Sequence, residues 1–418
     1  MSVLDYQAQH YLRRIIDRLP DSHQREQLKN LRLCGVGTAA NAEAVYVLAS
    51  DGRAKVHGTM KCDNAFCCPV CSSVVMERQR SRIQTAIELL HKKYFGFMVT
   101  FAIPHFSFMS CREVIDILYD TWKYFRMKSF KRHHGHIYHE FNLVVPVEHH
   151  VRVCEQTWGK QGWHHHFHCI FWIKRGLEQE AVRWEERLRD FWDKVCRGRI
   201  LKYWQKHKLH QNILAIDGTF DKILDRLFSK TDVHCGVYFS KNPDGSLMEA
   251  DSAEYVSGWG ADTEVTGNYK KSASHAGHFT PYQILLKAQT DESFAKLYID
   301  FCLAMTTKPV HHRVDFSQSG ITKLVDSWQK EHGRKSATLQ KKRTEQMQTP
   351  WRIVACFSKK DWYELCCLDR FSPVISNIMY LAANYVYLLG DYLQSLGIEP
   401  LGYTREYDEI EALYNRAS

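Results

Sequence analysis

The sequence predicts an α+β protein in which a central antiparallel sheet packs against flanking helices. Segments 95–103 and 163–173 are apolar or alternate between apolar and polar residues, which is typical of strands with at least one buried face. Helical patterns, with apolar residues every three or four positions, cover 72–93 and 176–197. The chain after position 281 is mainly helical in pattern, so the sheet is expected in the middle of the sequence.

The length and composition indicate a folded chain with more than one domain. Of its 418 residues, 44% are hydrophobic and 25% charged, and glycine and proline are scarce, so disorder is not expected to dominate. We expect three regions: 1–93 with a cysteine-rich module, 94–290 with the sheet, and a mainly helical 291–418. The polar, basic stretch 329–349 is interpreted as a linker or an exposed helix.

The charge and the termini set broad limits on partners and location. A net charge of +9 suits a polyanion such as nucleic acid, although it is also typical of an ordinary solvated surface. The N-terminal segment lacks the apolar core of a signal peptide, and no run of about 18 apolar residues predicts a membrane span. We therefore expect a cytoplasmic protein with no membrane contact. Its 14 cysteines are then expected to be reduced thiols or metal ligands.

Four cysteines cluster in the segment CDNAFCCPVC, at Cys62, Cys67, Cys68 and Cys71. The CPVC piece is a C-x-x-C pair with a proline that shapes the turn, a common form of zinc knuckle. Two further cysteines within reach suit tetrahedral thiolate coordination. We interpret the cluster as a structural zinc site; the alternative is four reduced cysteines that are neighbours by chance.

The strand-like segment GWHHHFHCIFWI, at 162–173, carries the strongest functional signal. Since side chains alternate between the faces of a strand, His164, His166 and His168 share one face, and the residues between them can pack on a core. Imidazoles two residues apart on a stiff strand are well placed to bind one metal ion. A polar, exposed strand face is the alternative interpretation.

A carboxylate on the preceding strand strengthens the metal interpretation. If 151–157 and 163–173 pair as a hairpin about a turn at 158–162, Glu155 lies opposite His166. Two imidazoles and one carboxylate would form a metal site with open positions for water and a phosphate oxygen.

At this point the sequence resembles a known family. GWHHHFH is similar to the GWHPHxH signature of plasmid rolling-circle replication initiators in the HUH endonuclease superfamily. The resemblance maps the HUH core onto His166–Phe167–His168 and the upstream glutamate onto Glu155, with Mg²⁺ or Mn²⁺ as the implied catalytic ion. His165 stands where the family usually has proline, which leaves open whether His164 or His165 also contacts the metal. The implied fold is a central antiparallel sheet of the HUH type.

The resemblance also implies a tyrosine nucleophile. AEYVSGWG (253–260) and HFTPYQILL (278–286) resemble the family segment Y-V-x-K-W-G … G-x-x-T-P-F-x-L-L. Tyr255 takes the nucleophile's place, and Tyr269 is the first reserve. Asp251, one helical turn before Tyr255, matches a carboxylate that activates water in some members of the family.

One residue of the tyrosine motif departs from the family. Gly258 stands where a lysine usually holds phosphate or eases ionisation of the phenol, whose reference pKa is near 10. Lys270 or Lys271 is a candidate to contact the DNA phosphate in its place. The departure leaves a non-catalytic DNA-binding protein as one alternative.

The cysteine motif extends the resemblance. The family's C-x5-C-P-x-C maps onto Cys62, Cys68 and Cys71, and its Cys-Gly pair about thirty residues earlier implies Cys34 as the fourth zinc ligand. Cys67 is the alternative for that position. Such a site would fold a small N-terminal module rather than catalyse a reaction.

Basic and aromatic residues provide candidate DNA contacts. Arg78 lies on the basic helix after the cysteines, where it could follow DNA phosphates or simply form a solvated helix face. Lys131 and Arg132 lie in KSFKRHH, beside an aromatic residue suited to stacking on unpaired bases. A strand that ends in the Pro-His pair at His105 resembles the family's first motif, and we expect His105 to contact DNA or to be structural.

The resemblance implies that the protein initiates plasmid rolling-circle replication. It would nick single-stranded or hairpin origin DNA with Tyr255, leaving a 5′-phosphotyrosine and a 3′-hydroxyl, and would work with a host helicase and DNA polymerase. A transposase with the same chemistry is the closest alternative. A metal-dependent hydrolase that uses water as its nucleophile is another, with Tyr255 then in the core. The sequence does not determine the oligomeric state.

Overall fold

The computed structural model confirms an α+β protein built of antiparallel sheets and helices. The chain divides into two compact units: unit 1 comprises 1–78, 281–309 and 337–418, and unit 2 comprises 79–280 and 310–336. The structure describes residues 3–50, 52–128, 130–133, 136–139, 147–211, 236–250, 277–306, 314–316, 321–332 and 351–403.

Within these ranges the helices and strands have the following bounds. The helices are α1 (Val3–Asp17), α2 (Ser22–Gln27), α3 (Lys29–Leu33), α4 (Pro69–Leu90), α5 (Cys111–Lys128), α6 (Glu178–His207), α7 (Pro281–Lys287), α8 (Glu292–Thr306), α9 (Ile321–His332), α10 (Lys359–Leu368), α11 (Val374–Asn384) and α12 (Val386–Ser395). The strands are β1 (Val45–Ser50), β2 (Arg53–His57), β3 (Tyr94–Ala102), β4 (Phe130–His133), β5 (His136–His139), β6 (His149–Gly159), β7 (Gly162–Lys174), β8 (Gly236–Phe239), β9 (Val314–Asp315), β10 (Arg352–Phe357) and β11 (Gly402–Tyr403).

Unit 1 is organised around a four-stranded antiparallel sheet in the order β11-β10-β1-β2. Helix α11 packs on β1 and β2, and α1 packs on α11. Val47 and Val56, which pair across β1 and β2, are almost fully buried because the helices cover them. The sheet therefore joins segments from both ends of the sequence, since β10 follows β1 by some three hundred residues.

Unit 2 contains a five-stranded antiparallel sheet in the order β8-β3-β7-β6-β9. One face of β3 and β7 is aromatic and fully buried, and rings from α5 and α6 pack on it. Trp192 on α6 also donates a hydrogen bond from Nε1 to the carbonyl of Ala102, at 2.8 Å. Because side chains alternate along a strand, this packing leaves His164, His166 and His168 of β7 on the opposite face.

Strands β6 and β7 form the predicted hairpin. Glu155 pairs with His166 and Val153 with His168, the register expected from the sequence, and the turn tightens to the two residues between Gly159 and Gly162. Gly162 has φ +92°, and a Cβ there would lie 3.0 Å from the carbonyl oxygen of Phe106. Glycine is thus needed both for the turn and for the close approach of the loop after β3.

Helix α6 extends further than predicted. The sequence pattern predicted a helix over 176–197, whereas α6 runs from Glu178 to His207. Gly198 made an earlier end plausible, but Ile200 and Trp204 continue the buried face of the helix and offset the unfavourable glycine. Lys208, with φ +52°, ends the helix, and its N–H donates to the carbonyl of Trp204 or Gln205.

Among the helices that the structure describes, none combines the length and the apolar character needed to cross a membrane.

Candidate functional site

Glu155, His166 and His168 converge on the face of the unit 2 sheet away from α5 and α6. His166 Nε2 lies 3.0 Å from Glu155 Oε2 and 3.1 Å from His168 Nε2, and His168 Nε2 contacts the same carboxylate oxygen. The three side chains are 10–15% exposed, so the cluster is sheltered but open to solvent. Strand alternation and the hairpin register bring them together.

The distances within this cluster fit a divalent metal ion. Ligand atoms about 2.1 Å from an ion and at right angles to one another lie about 3.0 Å apart, close to the separations observed here. Two imidazole nitrogens and one carboxylate oxygen on one side of an ion leave its remaining positions for other ligands. The three residues therefore could hold a metal ion.

Electrostatics favours an ionised carboxylate at Glu155. Burial alone would raise the pKa of Glu155, but the adjacent His166 and the hydrogen bonds from His166 and His168 lower it well below its usual value. The carboxylate therefore keeps its negative charge across the physiological pH range, as a metal ligand must.

Thr100 on β3 orients one of the imidazoles. It pairs with His168 across the sheet, and its Oγ1 lies 2.9 Å from His168 Nδ1. When Nδ1–H donates to this hydroxyl, the lone pair of Nε2 is directed to the metal site. The sequence analysis did not identify Thr100, because its role depends on the pairing of β3 with β7; a polar residue in an otherwise apolar strand was the available signal.

The other two histidines of β7 lie on opposite faces of the strand. His164 lies on the metal-site face, where its Nδ1 is 3.4 Å from Nδ1 of His105. Burial and the nearby His166 and His105 lower the pKa of His164 well below its usual value, so its ring is neutral at pH 7. His165 points to the other face and is fully buried near Cys111. His105, expected to contact DNA or to be structural, is itself buried against His164.

The loop after β3 carries an exposed aromatic ring. Phe108, in the loop after β3, is 43% exposed and stacks on Phe106, with ring centroids 5.3 Å apart and planes inclined by 5°. His210 packs against the other ring edge, at 4.7 Å between centroids. The same loop carries His105 and approaches Gly162 at the hairpin turn. A rigidly held, solvent-facing ring is suited to stacking on an unpaired base.

In unit 1, four cysteines lie together: Cys34, Cys62, Cys68 and Cys71. Their sulfur atoms all lie within 4.8 Å of one another, and Cys34 Sγ is 3.3 Å from Cys71 Sγ and 3.4 Å from Cys68 Sγ. Sulfurs bound tetrahedrally at about 2.3 Å from an ion would be about 3.8 Å apart, which a small outward movement achieves. The cluster could hold a metal ion such as zinc.

The thiols of this cluster share their protons. Hydrogen bonds from Cys62 and Cys68 lower the pKa of Cys34, and hydrogen bonds from its three neighbours lower that of Cys71. Burial raises the pKa of Cys68 instead. The hydrogen bonds within the cluster thus favour the thiolate form at Cys34 and Cys71, and a bound cation would favour thiolates at all four positions.

Cys67, the alternative to Cys34 as the fourth zinc ligand, does not belong to the described four-sulfur cluster. It is fully buried, and its carbonyl accepts a hydrogen bond from the hydroxyl of Tyr298, at 2.6 Å. Cys34 occupies the fourth position of that cluster. Cys34 follows α3 and lies 37 residues from Cys71, so only the fold brings the two together.

The remaining predicted residues are placed as follows. Arg78 is exposed on α4, whereas Arg82 on the same helix pairs with Asp326 at 2.9 Å. Lys131 and Arg132 lie on β4, which pairs with β5. Five residues lie outside the part of the chain that the structure describes, namely Asp251, Tyr255, Tyr269, Lys270 and Lys271.

Comparison with known proteins found no significant match to a family model, to a curated protein or to a solved structure. The geometry of the two side-chain clusters, together with the sequence motifs, therefore carries the functional argument.

Proposed function

We propose that this protein is a rolling-circle replication initiator of the HUH endonuclease type, which nicks single-stranded plasmid origin DNA through a covalent tyrosine intermediate. The observation that carries the proposal is the cluster of Glu155, His166 and His168 on adjacent antiparallel strands, in which His166 Nε2 lies 3.0 Å from Glu155 Oε2 and 3.1 Å from His168 Nε2. The HUH-like motif GWHHHFH runs through this cluster.

In this function Glu155, His166 and His168 would hold Mg²⁺ or Mn²⁺, whose charge would polarise the scissile phosphate. Thr100 keeps the His168 ring in the tautomer and orientation that present Nε2. Helices α5 and α6 hold the sheet from behind through its aromatic face, so the ligand geometry is fixed before DNA binds.

Tyr255 is the proposed nucleophile, and chain geometry is compatible with this role. The N–H of Ala250 donates to the carbonyl of Gly96 on β3, at 2.7 Å, and Gly96 is four residues, about 13 Å, from Thr100. Position 255 follows Ala250 by five residues, a span of at most about 18 Å. The reach of the chain thus includes the metal site.

The chemistry is a transesterification. The phenol oxygen of Tyr255 would form a bond to phosphorus while the bond from phosphorus to the 3′-oxygen breaks, and the phenol proton would end on that 3′-oxygen, giving a 5′-phosphotyrosine and a 3′-hydroxyl. Asp251 is proposed to activate water or a hydroxyl for the terminating cleavage, and Lys270 or Lys271 to contact the phosphate in place of the lysine missing at Gly258. The free 3′-hydroxyl would prime synthesis by a host polymerase, with a host helicase opening the duplex.

Unpaired DNA is the proposed substrate. A phosphate of duplex DNA could not reach the sheltered cluster of Glu155, His166 and His168 unless the duplex were distorted, whereas a phosphate of a single strand can. Phe108 supplies a stacking surface on the loop that follows β3, and Arg78, Lys131 and Arg132 are proposed phosphate contacts. The Cys34, Cys62, Cys68 and Cys71 cluster is proposed to hold structural zinc that stabilises unit 1. A cytoplasmic location follows from this function.

The proposal is tested by trapping the intermediate. The full-length protein is incubated with Mn²⁺ and labelled single-stranded oligonucleotides that tile the DNA carrying its gene, and the products are denatured and separated. We expect a covalent adduct that is lost in Tyr255→Phe and retained in Tyr269→Phe, with the modified residue identified by mass spectrometry.

Other outcomes would replace the proposal. An adduct that survives in both His166→Ala and His168→Ala would contradict the metal assignment. Cleavage without an adduct would indicate a water nucleophile, and binding without cleavage would indicate a non-catalytic DNA-binding protein. Rejoining of the cut strand to a foreign end, without origin dependence, would favour a transposase.

A further inference from the structure

A cavity in unit 1 is not used by the proposed nicking reaction. It has a volume of about 100 Å³ and is formed by α1, by the end of α3 with the segment that follows it, and by α10 with the residues after it. A buried water needs about 10–15 Å³ of such volume, so the cavity has room for a small organic ligand rather than for one or two waters.

A buried ion pair between Arg13 and Asp369 lines the cavity. Asp369 is 1% exposed, and its carboxylate accepts hydrogen bonds from Arg13, from His10 Nδ1 at 3.1 Å and from the N–H of Ile375 at 2.6 Å. Arg13 is itself 9% exposed, and its Nε has no hydrogen-bond partner among the described residues. A charged network of this kind holds the wall in one geometry.

The charges that line the cavity do not cancel. Four arginines and two aspartates line it, which leaves a net charge of +2 with His10 neutral. Asp369 neutralises Arg13, and Asp17 neutralises Arg32 at 2.5 Å. The other two are Arg14 and Arg370, and neither forms an ion pair with any residue that the structure describes.

The rest of the lining is apolar or aromatic. Leu33 and Val36 contribute aliphatic surface, and Tyr363 on α10 lies beside them with 67% of its surface exposed. Guanidinium groups favour phosphate because the planar fork matches two oxygens, and an exposed tyrosine ring favours a planar partner. An anion with a planar, weakly polar body meets both requirements.

We infer that this cavity binds a nucleotide, with its phosphate on Arg14 and Arg370 and its base on the apolar wall and the Tyr363 ring. The same chemistry occurs in a free nucleotide and in one nucleotide of an unpaired DNA strand. The cavity residues all belong to unit 1, whereas Glu155, His166 and His168 belong to unit 2. Binding at the cavity therefore does not require nicking activity.

The test measures binding by titration calorimetry with the full-length protein. The probes are dAMP, adenosine, inorganic phosphate and the oligonucleotide (dA)10. The test variant is Arg14→Gln/Arg370→Gln, and the control is Arg18→Gln, which removes an exposed charge just after α1 that does not line the cavity. Circular dichroism establishes that each variant is folded.

We expect dAMP to bind more tightly than either adenosine or phosphate, and the double variant to weaken dAMP by about tenfold or more while Arg18→Gln changes it little. Tighter binding of (dA)10 than of dAMP would identify the DNA strand as the source, and equal or weaker binding would identify the free nucleotide. Tyr255→Phe protein should bind dAMP normally, whatever the outcome of the nicking experiment.

Two results would overturn the inference. One is dAMP binding that is absent, or equal in the double variant and the unaltered protein. The other is inorganic phosphate binding as tightly as dAMP, which would show an anion site without a place for the base.

Discussion

Glu155 shows how a single carboxylate organises the candidate metal site. It faces two imidazoles, and those neighbours keep its pKa low in spite of burial. A buried carboxylate without such partners would be neutral and a poor ligand. The position of Glu155 followed from counting residues across a predicted hairpin, but the orientation of His168 depends on Thr100, which the sequence pattern did not identify.

Replacement of Thr100 by valine tests the orienting hydrogen bond. Valine has nearly the same shape but cannot accept from His168 Nδ1, so we expect Mn²⁺ affinity to fall by about 10–100-fold. Thr100→Ser, which keeps the hydroxyl, should retain most of the affinity. Both are measured by calorimetric titration of Mn²⁺, and equal affinities in the two variants would contradict the assigned role.

Phe108 provides a second test at the scale of one residue. Its exposed ring is held by Phe106 and His210, so Phe108→Ala should weaken binding of single-stranded DNA by about 1–3 kcal/mol, while Phe108→Tyr should keep it. Fluorescence anisotropy with a labelled oligonucleotide measures both. Equal loss in the two variants would indicate that the ring does not stack on a base.

At the scale of elements, the hairpin of β6 and β7 holds the ligands in register. A slip of one residue would turn His166 and His168 to the aromatic core face and bring Phe167 to the metal site. The two-residue turn at Gly162 fixes that register, and the loop after β3 packs against it. The turn therefore positions both the candidate metal ligands and the loop that carries His105.

Two glycines with the same φ allow the packing at the hairpin turn to be measured. Gly162 and Gly176 both have φ +92°, but an added Cβ meets Phe106 and Ser107 only at Gly162 and meets nothing within 4 Å at Gly176. Gly176→Ala should cost about 1 kcal/mol from backbone strain alone. Gly162→Ala should cost about 2–4 kcal/mol, because overpacking adds to the same strain.

Urea unfolding monitored by fluorescence gives both free energies of unfolding. A cost for Gly162→Ala no larger than that for Gly176→Ala would mean that the loop after β3 adapts without resistance.

Element boundaries were predicted where local pattern and packing agree. The patterns of β3, β6 and β7 are strong because one face of each is buried against aromatic rings. The end of α6 was missed by ten residues, since burial of Trp204 in the tertiary structure outweighs the low helix propensity of Gly198.

At the scale of the whole molecule, each compact unit is assembled from separated parts of the chain. In unit 1, Asp369 reaches back to His10, 359 residues earlier, and β10 pairs with β1. A metal ion in the cysteine cluster would fasten the N-terminal part of this unit, because Cys34 lies before β1 and the other three ligands lie after β2.

The zinc content of purified variants distinguishes the cysteine cluster from the cluster of Glu155, His166 and His168. We expect about one zinc per chain in the purified protein, lost in Cys68→Ser/Cys71→Ser and kept in His166→Ala/His168→Ala. The cysteine variant should also unfold about 10 °C or more below the unaltered protein, whereas the histidine variant should change little. Elemental analysis and calorimetry measure these effects, and zinc retained in the cysteine variant would contradict the structural site.

The sequence by itself determined the features that depend on local periodicity. Alternation along β7 put His166 and His168 on one face, residue counting across the turn put Glu155 beside them, and CPVC marked a metal-binding turn. The tertiary structure alone decided what joins distant segments: Thr100 on His168 and Arg13 on Asp369. For the fourth sulfur position the sequence offered Cys34 or Cys67, and the structure brings Cys34 there. The physical reason is that such contacts depend on which buried faces pack together, and packing sums many weak interactions that no short stretch of sequence contains.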